Sequence, residues 1–381
     1  TLINLLNNKK RNIIVLQPLY ELKKIDFSNY NLYSFPEVEK DFFKKKTFNS
    51  NNKIFNNKKF PVIKNSNDIC LQIILRIIKN HFTENFIKFN KFINKSEKFI
   101  KKYKPLKAYW GLPPIQPNEK VLMVKQLMNN KIKVIGAQHG GSYGDQDQDN
   151  LHSLSDYLFC NEFRSYNNFK LNLDKKIFLK KDLCKFHPVG SNKLQNLYRS
   201  GSFIKKNYKT ILFPVSNWTD NFDHNMGIST SQVLSRQKII FKSLKDYKLK
   251  TIVKLKQNVT DHYAETCYPG YYLAKNYENK NIKIEESMNF QEAINFYKPN
   301  LVILEVFSTP LYECVVNNCD IICFLDHDNK LKKHVEKKLS KRIHFVKKNN
   351  QFDSLIKQYY LGKLKKKRDN SFLKENLLNL S

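Results

Sequence analysis

Short apolar runs rich in β-branched and aromatic residues recur along the chain, each closed by Gly, Pro, Asn or a charged residue. Ile13–Leu16 is the first. Lys107–Trp110, Lys133–Ala137, Ser155–Cys160 and His187–Gly190 follow. A second series comprises Thr210–Val215, Thr251–Leu255, Ile282–Glu285, Leu301–Glu305, Ile321–Leu325 and Ile343–Val346. Runs of this length and composition predict buried strands. Between them apolar residues return at helical spacing. Ile73, Ile74, Ile77 and Ile78 mark a helix over Ile69–Phe82 with Asp68 as its cap, and Phe86, Phe89, Phe92 and Phe99 mark one over Glu84–Lys102. Further helices are predicted over Asn118–Asn129, Lys193–Tyr198, Ser229–Tyr247, Asn289–Tyr297, Thr309–Asn317 and Gln351–Tyr360. Strands alternating with helices indicate parallel α/β sheets. The first 66 residues carry few periodic signals beyond Ile13–Leu16, and Asn49–Lys59 reads as an exposed loop.

The alternation breaks once, at the polar stretch Arg199–Tyr208 (RSGSFIKKNY), which predicts a linker. The expected architecture is therefore α/β, with two Rossmann-like domains facing a cleft. Residues 1–200 form the first and 208–350 the second, followed by a helical basic tail over 351–381 that contains the run Lys363–Arg368. The first residue is Thr1, which leaves room for a segment before it. In open α/β sheets ligands bind beyond the carboxyl ends of the strands, so the cleft between two such domains is the expected site.

Composition narrows the classes. Of the 381 residues, 41% are hydrophobic and 13% aromatic, enough for a sizeable core. No run approaches the roughly 18 apolar residues of a membrane span, and no signal peptide is visible. The seven cysteines form no CxxC pair, which fits reduced, mostly buried thiols in a cytoplasmic protein and argues against a zinc site. The formal charge of +33 admits nucleic acid, an anionic membrane surface, or compositional drift in a chain rich in Lys, Asn and Ile. The lysines are scattered and no nucleic-acid-binding signature accompanies them. Drift with membrane-surface attraction as a by-product is favoured over nucleic acid.

The stretch with the most chemistry is Lys133–Gly144, KVIGAQHGGSYG, which places four of the chain's ten glycines within nine residues. A strand breaks here into a loop carrying His139. Glycines suit positions of positive φ or of close approach, and a histidine on such a loop is placed to meet a substrate. The second such stretch is Val302–Asp326. Its first strand ends at Glu305, and Phe307-Ser308-Thr309-Pro310 opens a helix with Ser308 or Thr309 as cap, Pro310 in the first turn and Glu313 in that turn. Such a helix start favours phosphate. Glu313 has two readings, a capping box or an acceptor for ribose hydroxyls.

QHGGSYG in one half followed by FSTPLYE…CDIICFLD in the other resembles GT-B-like transferases of bacterial surface-carbohydrate loci, distant kin of capsule Kdo transferases and teichoic-acid glycerophosphotransferases. The resemblance covers roughly residues 105–330. Phe307 replaces the small residue usual before the Ser/Thr pair, and Lys254-Leu255-Lys256-Gln257 replaces a basic-residue-plus-proline exit loop. The resemblance implies a glycosyltransferase that uses a nucleotide-activated sugar, a CMP-linked one among the candidates, with a saccharide or lipid-linked acceptor. It implies polysaccharide or lipopolysaccharide synthesis in the cytoplasm, peripheral to the inner membrane. The nucleotide sugar is a co-substrate, and no cofactor or metal is expected. Ser308 and Thr309 would hold phosphate, Glu313 the ribose, and Lys254 or Lys256 would neutralise the leaving group. His139, from the first domain, would act as general base towards the acceptor or contact the donor. Gln138 and Tyr143 would orient substrate beside Gly140 and Gly141, and Ser216 and Asn217 would line the cleft.

Two other readings compete. One is a non-catalytic basic α/β protein that binds nucleic acid or an anionic polymer, and the other is a nucleotide-sugar epimerase on the same fold. Asp145, Asp147 and Asp149 evoke a calcium loop, but Asn150 and Asp156 stand where Gly and Glu would be needed. His224 and His262 fall in polar loops. No G-x-S-x-G, P-loop or G-x-G-x-x-G is present, which weakens hydrolase, kinase-like and dehydrogenase readings.

Overall fold

The structure is a computed structural model. It describes residues 11–17, 30–34, 92–111, 118–141, 143–147, 156–167, 184–199, 210–216, 230–255, 269–325 and 330–376. The expected loop Asn49–Lys59, the helix over Ile69–Phe82, nearly all of the linker Arg199–Tyr208, and Asp149, Asn217, His224, Lys256 and His262 lie outside the described residues. The chain divides into two compact units. One comprises Thr1–Ala137, Ser155–Phe163 and Asp182–Lys185, the other Gln138–Leu154, Arg164–Lys181 and Phe186–Ser381.

Among the described residues, twelve strands make two six-stranded sheets. The first contains β1 (Arg11–Gln17), β2 (Tyr30–Ser34), β3 (Lys107–Trp110), β4 (Lys133–Ala137), β5 (Glu162–Ser165) and β6 (Lys185–Pro188), in the order β2-β1-β3-β4-β5-β6. β1 runs parallel to both β2 and β3, and β3 parallel to β4. Helix α1 (Asn118–Asn129) links β3 to β4 and buries Met123, Val124 and Leu127, the 3–4 spacing of an amphipathic helix. The predicted helix over Glu84–Lys102 is helical where it is described, at 92–103, with Phe92 and Phe99 buried.

One predicted strand of this unit takes another form. The predicted strand Ser155–Cys160 is not formed where it is described, at 156–160; Tyr157–Phe159 is a turn of 3₁₀-helix, and the strand β5 follows it. The reason is tertiary. The Trp110 indole N–H donates to the Phe159 carbonyl at 2.9 Å, and Tyr157 packs edge-on against Phe163 at 5.0 Å, so the apolar residues serve as a plug. Asn161 then exchanges bonds with Val134, accepting its N–H at 2.8 Å on Oδ1, and the ladder starts only beyond that point.

The second sheet contains β7 (Ile211–Pro214), β8 (Thr251–Lys254), β9 (Ile282–Glu285), β10 (Leu301–Leu304), β11 (Asp320–Phe324) and β12 (His344–Val346). Every neighbouring pair is parallel, in the order β12-β11-β10-β7-β8-β9. Alternate residues of each strand enter two apolar layers. Leu212, Val302, Leu304 and Ile321 point to one face, where α2 (Asn192–Arg199), α5 (Phe290–Tyr297), α6 (Thr309–Val316), α7 (Lys333–Leu339) and α9 (Ser371–Asn376) contribute Leu194, Ile294, Leu311, Val335 and Phe372. Ile211, Phe213, Ile303 and Ile322 point to the other, which is covered by α3 (Thr230–Asp246), α4 (Pro269–Tyr277) and α8 (Asn349–Tyr360) through Ile240, Phe241, Ala274 and Phe352. Both faces are buried, so the strands read as continuous apolar runs. Helix α5 begins with a capping box in which Asn289 and Glu292 satisfy each other's backbone N–H groups.

Chain order explains where a ligand belongs. β7, β8 and β9 proceed outward in one direction. The chain then crosses back, and β10, β11 and β12 proceed in the other. The order reverses between β7 and β10, and the crevice at such a reversal is where doubly wound sheets bind ligands.

Candidate functional site

Three predicted positions, Gly140, Gly141 and Thr309, meet at one place within the second unit. The loop after β4 lies against the first turn of α6. The Gly141 N–H donates to Thr309 Oγ1 at 3.2 Å. A methyl group on Gly140 would stand 2.4 Å from Thr309 Oγ1, and one on Gly141 only 1.8 Å from Tyr312 Cδ2. Neither glycine has a positive φ among the described residues. They are required for close approach, and the partner they approach is the helix that the second motif opens.

The loop is tied down around that contact. Tyr312 donates its hydroxyl to the buried Asp145 carboxylate. Lys332 donates its side chain to the Gly144 carbonyl at 2.6 Å and its backbone N–H to the Asp145 carbonyl at 2.9 Å. Gln146 forms an antiparallel bridge with Leu331. Asp145, one of the three aspartates that suggested calcium, is thus engaged with a tyrosine. Gln138 is buried with its amide used at both ends. Nε2 donates to the Gly140 carbonyl at 2.7 Å, and Oε1 accepts the Tyr166 N–H at 2.9 Å. It anchors the loop to the exit of β5.

His139 is exposed. Its Nδ1 lies 2.6 Å from the hydroxyl of the buried Tyr143, whose ring meets the imidazole edge-on at 5.4 Å. Tyr143 therefore orients an imidazole that is itself exposed.

The α6 start differs in detail from expectation. Ser308 occupies the cap position with extended backbone but makes no side-chain cap bond, and Pro310 sits in the first turn. Glu313 does not complete a capping box. It falls in the second turn, since the third helical residue is Leu311, and points to α2, where it pairs with Lys193. The Glu313 side chain is 7% exposed and that of Lys193 47%. The sequence reading did not single out Lys193. Its signal was modest, a basic residue in the first turn of the helix after the Gly190-Ser191 turn.

At the β7–β10 reversal itself, the buried carboxylate of Glu305 accepts the Ser216 N–H at 2.5 Å, and Arg236 of α3 donates to the Glu305 carbonyl. Burial pushes the Glu305 carboxyl up to about 7, opposed in part by the Ser216 N–H, Gln237 and the Arg236 charge. Glu305 went unnoticed in the sequence because it reads as the polar end of a strand. Lys254, at the end of β8, donates to the Leu255 carbonyl. Burial lowers its pKa and nearby Glu285 opposes that shift. Glu285, at the end of β9, is held at about 2; burial raises it, but bonds from Ser287, Tyr297 and Met288 outweigh that. Ser216, Lys254, Glu285 and Glu305 therefore line the carboxyl edge of one parallel sheet. Among the described residues no three His, Cys, Asp or Glu side chains gather as a metal-ligand cluster.

A search of curated proteins finds no match. Among solved structures the chain is similar to the UDP-GlcNAc 2-epimerase of Methanocaldococcus jannaschii in complex with UDP-GlcNAc and UDP, at 14% identity over 97% of this chain and 96% of that one, with a TM-score of 0.49. It is similar to the UDP-GlcNAc 2-epimerase of Neisseria meningitidis at 11% identity over 96% and 97%, TM-score 0.48. It is also similar to the glycotransferase of kitacinnamycin at 8% identity over 97% and 94%, TM-score 0.44. A family model described as LIC12162 family transferase matches residues 1–361, and the chain belongs to that family of transferases.

Proposed function

We propose that this transferase moves a sugar from a nucleotide-activated donor, with a CMP-linked sugar among the candidates, to a saccharide or lipid-linked acceptor. We place the reaction in bacterial surface-polysaccharide or lipopolysaccharide synthesis at the cytoplasmic face of the inner membrane. The observation that carries the reading is the seating of the Gly140-Gly141 loop on Thr309 at the start of α6, beside the β7–β10 reversal. A histidine loop, a helix N-terminus and a strand-order crevice converge there.

The donor phosphates lie at the α6 N-terminus, where the Ser308 and Thr309 hydroxyls and the positive end of the helix dipole favour negative charge. Glu313, held by its ion pair with Lys193, accepts from the ribose. Lys254 lends positive charge from the β8 end as the leaving group develops, and Ser216 borders the crevice. The acceptor hydroxyl attacks the anomeric carbon. A carbon–oxygen bond forms there, the bond to the phosphate oxygen breaks, and that oxygen keeps the electron pair. His139 Nε2 takes the acceptor proton, which requires Nδ1 to carry hydrogen and donate it to Tyr143. Gln138 holds the loop in register.

Thermal stabilisation by CMP, UDP, GDP and their sugars, followed by turnover with and without acceptor, tests this. The expected result is a nucleotide-selective shift that disappears in Glu313→Gln, and transfer that requires acceptor and is lost in His139→Ala. Conversion of the nucleotide sugar with no acceptor present would replace transfer with epimerisation. Stabilisation by polyanions alone, at low salt, would overturn both.

A further inference from the structure

Charge is not spread evenly through the second unit. Residues 269–329 carry four Lys and Arg against nine Asp and Glu, whereas residues 330–376 carry sixteen against four, a net +12 of the chain's +33. Drift in composition would not separate neighbouring stretches of one unit in this way.

The basic stretch is also built. Helix α8 ends on Tyr360 and Leu361, each 51% exposed. The chain reverses at Gly362, which has a φ of +70°, and the turn is closed by the Gly362 N–H on the Tyr359 carbonyl and the Lys363 N–H on that of Gln358. The following run is a strap rather than a loose tail. Lys367 donates to the Ser340 and Ile343 carbonyls at 2.6 and 2.8 Å, Arg368 pairs with Asp320, and His344 Nε2 donates to the Lys365 carbonyl at 2.9 Å. Two of the run's cations are thus used to fasten it. Lys357, Lys363, Lys365 and Lys366, within six residues of Tyr360 and Leu361 along the chain, are exposed.

We propose that this tip and strap are a docking surface for an anionic lipid bilayer. Tyr360 and Leu361 enter the boundary between headgroups and acyl chains, and the four lysines meet anionic headgroups. An exposed aliphatic residue flanked along the chain by exposed lysines suits a bilayer; a nucleic acid gains nothing from Leu361. Among the described residues no helix is long and apolar enough to cross a membrane, and this surface would hold the protein on one. The inference deepens the membrane-face setting proposed above.

The test is co-sedimentation of the full chain with phosphatidylcholine vesicles, with and without phosphatidylglycerol. Binding is expected only to the anionic vesicles. Joint Lys363→Gln, Lys365→Gln and Lys366→Gln should weaken it by roughly 100-fold, from about fivefold per lysine. Joint Tyr360→Ser and Leu361→Ser, at unchanged charge, should weaken it by roughly tenfold. Lys280→Gln, Lys283→Gln and Lys298→Gln, equal in charge loss but in the other stretch, should change little. Equal loss in that control, no effect of the Tyr360 and Leu361 changes, no binding to anionic vesicles, or capture of DNA in place of vesicles through the same lysines would each overturn it. Circular dichroism checks that every variant folds. Unaltered nucleotide stabilisation alongside failed vesicle binding would count against the surface and leave the donor site standing.

Discussion

Gly141 lies so close to Tyr312 that a single added methyl would stand 1.8 Å from the ring. Tyr312 has little room to retreat, because it is buried and its hydroxyl is engaged by Asp145. Gly141→Ala should therefore push the loop off α6 and destabilise the protein by about 1–3 kcal/mol, the usual cost of overpacking. Gly140→Ala meets only the Thr309 hydroxyl, the end of an exposed side chain, and should cost less stability. Thermal midpoints of the two variants check the order, and a smaller loss for Gly141→Ala would contradict this account of the glycines.

Tyr143→Phe removes the hydroxyl that faces His139 Nδ1 while keeping the buried ring. Turnover should fall by roughly tenfold or more with KM little changed, because the proposed general base loses its orientation rather than the site its substrate. The pH–rate profile should move as well. A variant with wild-type kcat and profile would show that Tyr143 serves packing alone.

Lys193 and Glu313 should be coupled. Lys193→Met leaves a mostly buried carboxylate without its cation and should destabilise the wild type by about 1–3 kcal/mol. In the Glu313→Gln background the same change should cost little. A double-mutant cycle on thermal unfolding measures the coupling, and additive effects would show that the pair contributes nothing as a pair.

Glu305 predicts a pH dependence. Its carboxyl titrates near 7 in the folded protein, above the ordinary glutamate value, so the folded state holds the proton more tightly. Stability from this group is greatest below the ordinary glutamate value of about 4.3, declines as pH rises to about 7, and levels off above. The difference corresponds to at most about 3–4 kcal/mol. Glu305→Gln should flatten that decline and be more stable than the wild type at alkaline pH. Denaturant midpoints on both sides of neutrality decide it, and parallel pH curves for the two proteins would contradict the assignment.

The elements that were legible in the sequence are those whose signal is local. Ile282–Glu285 is a strand with the expected bounds, and Lys107–Trp110 and the α1 helix likewise, because a β-branched run or a 3–4 apolar spacing needs no distant partner to be read. Ser155–Cys160 misled for the opposite reason. Its residues are as apolar as a strand's, but Trp110 and Phe163 claim them for a plug. Helices α4 and α7 were missed because their sequences, PGYYLAKNY and KHVEKKL, have no clear stripe and are held by packing on α3 and under α9.

The sequence by itself determined the alternation of strands and helices, the two motifs and the wealth of positive charge, all of which are properties of neighbouring residues. Only the tertiary structure decided which residues the motifs meet. Gly141 meets Thr309 across 168 residues and Lys193 meets Glu313 across 120, and nothing local distinguishes a glycine needed for a turn from one needed to admit a helix. The order of the parallel strands sets those meetings. It brings β10 beside β7, and so delivers Glu305 to the Ser216 N–H and the α6 N-terminus to the QHGG loop. Strand order is a matter of which apolar faces bury each other best over the whole unit, and that competition has no local signature.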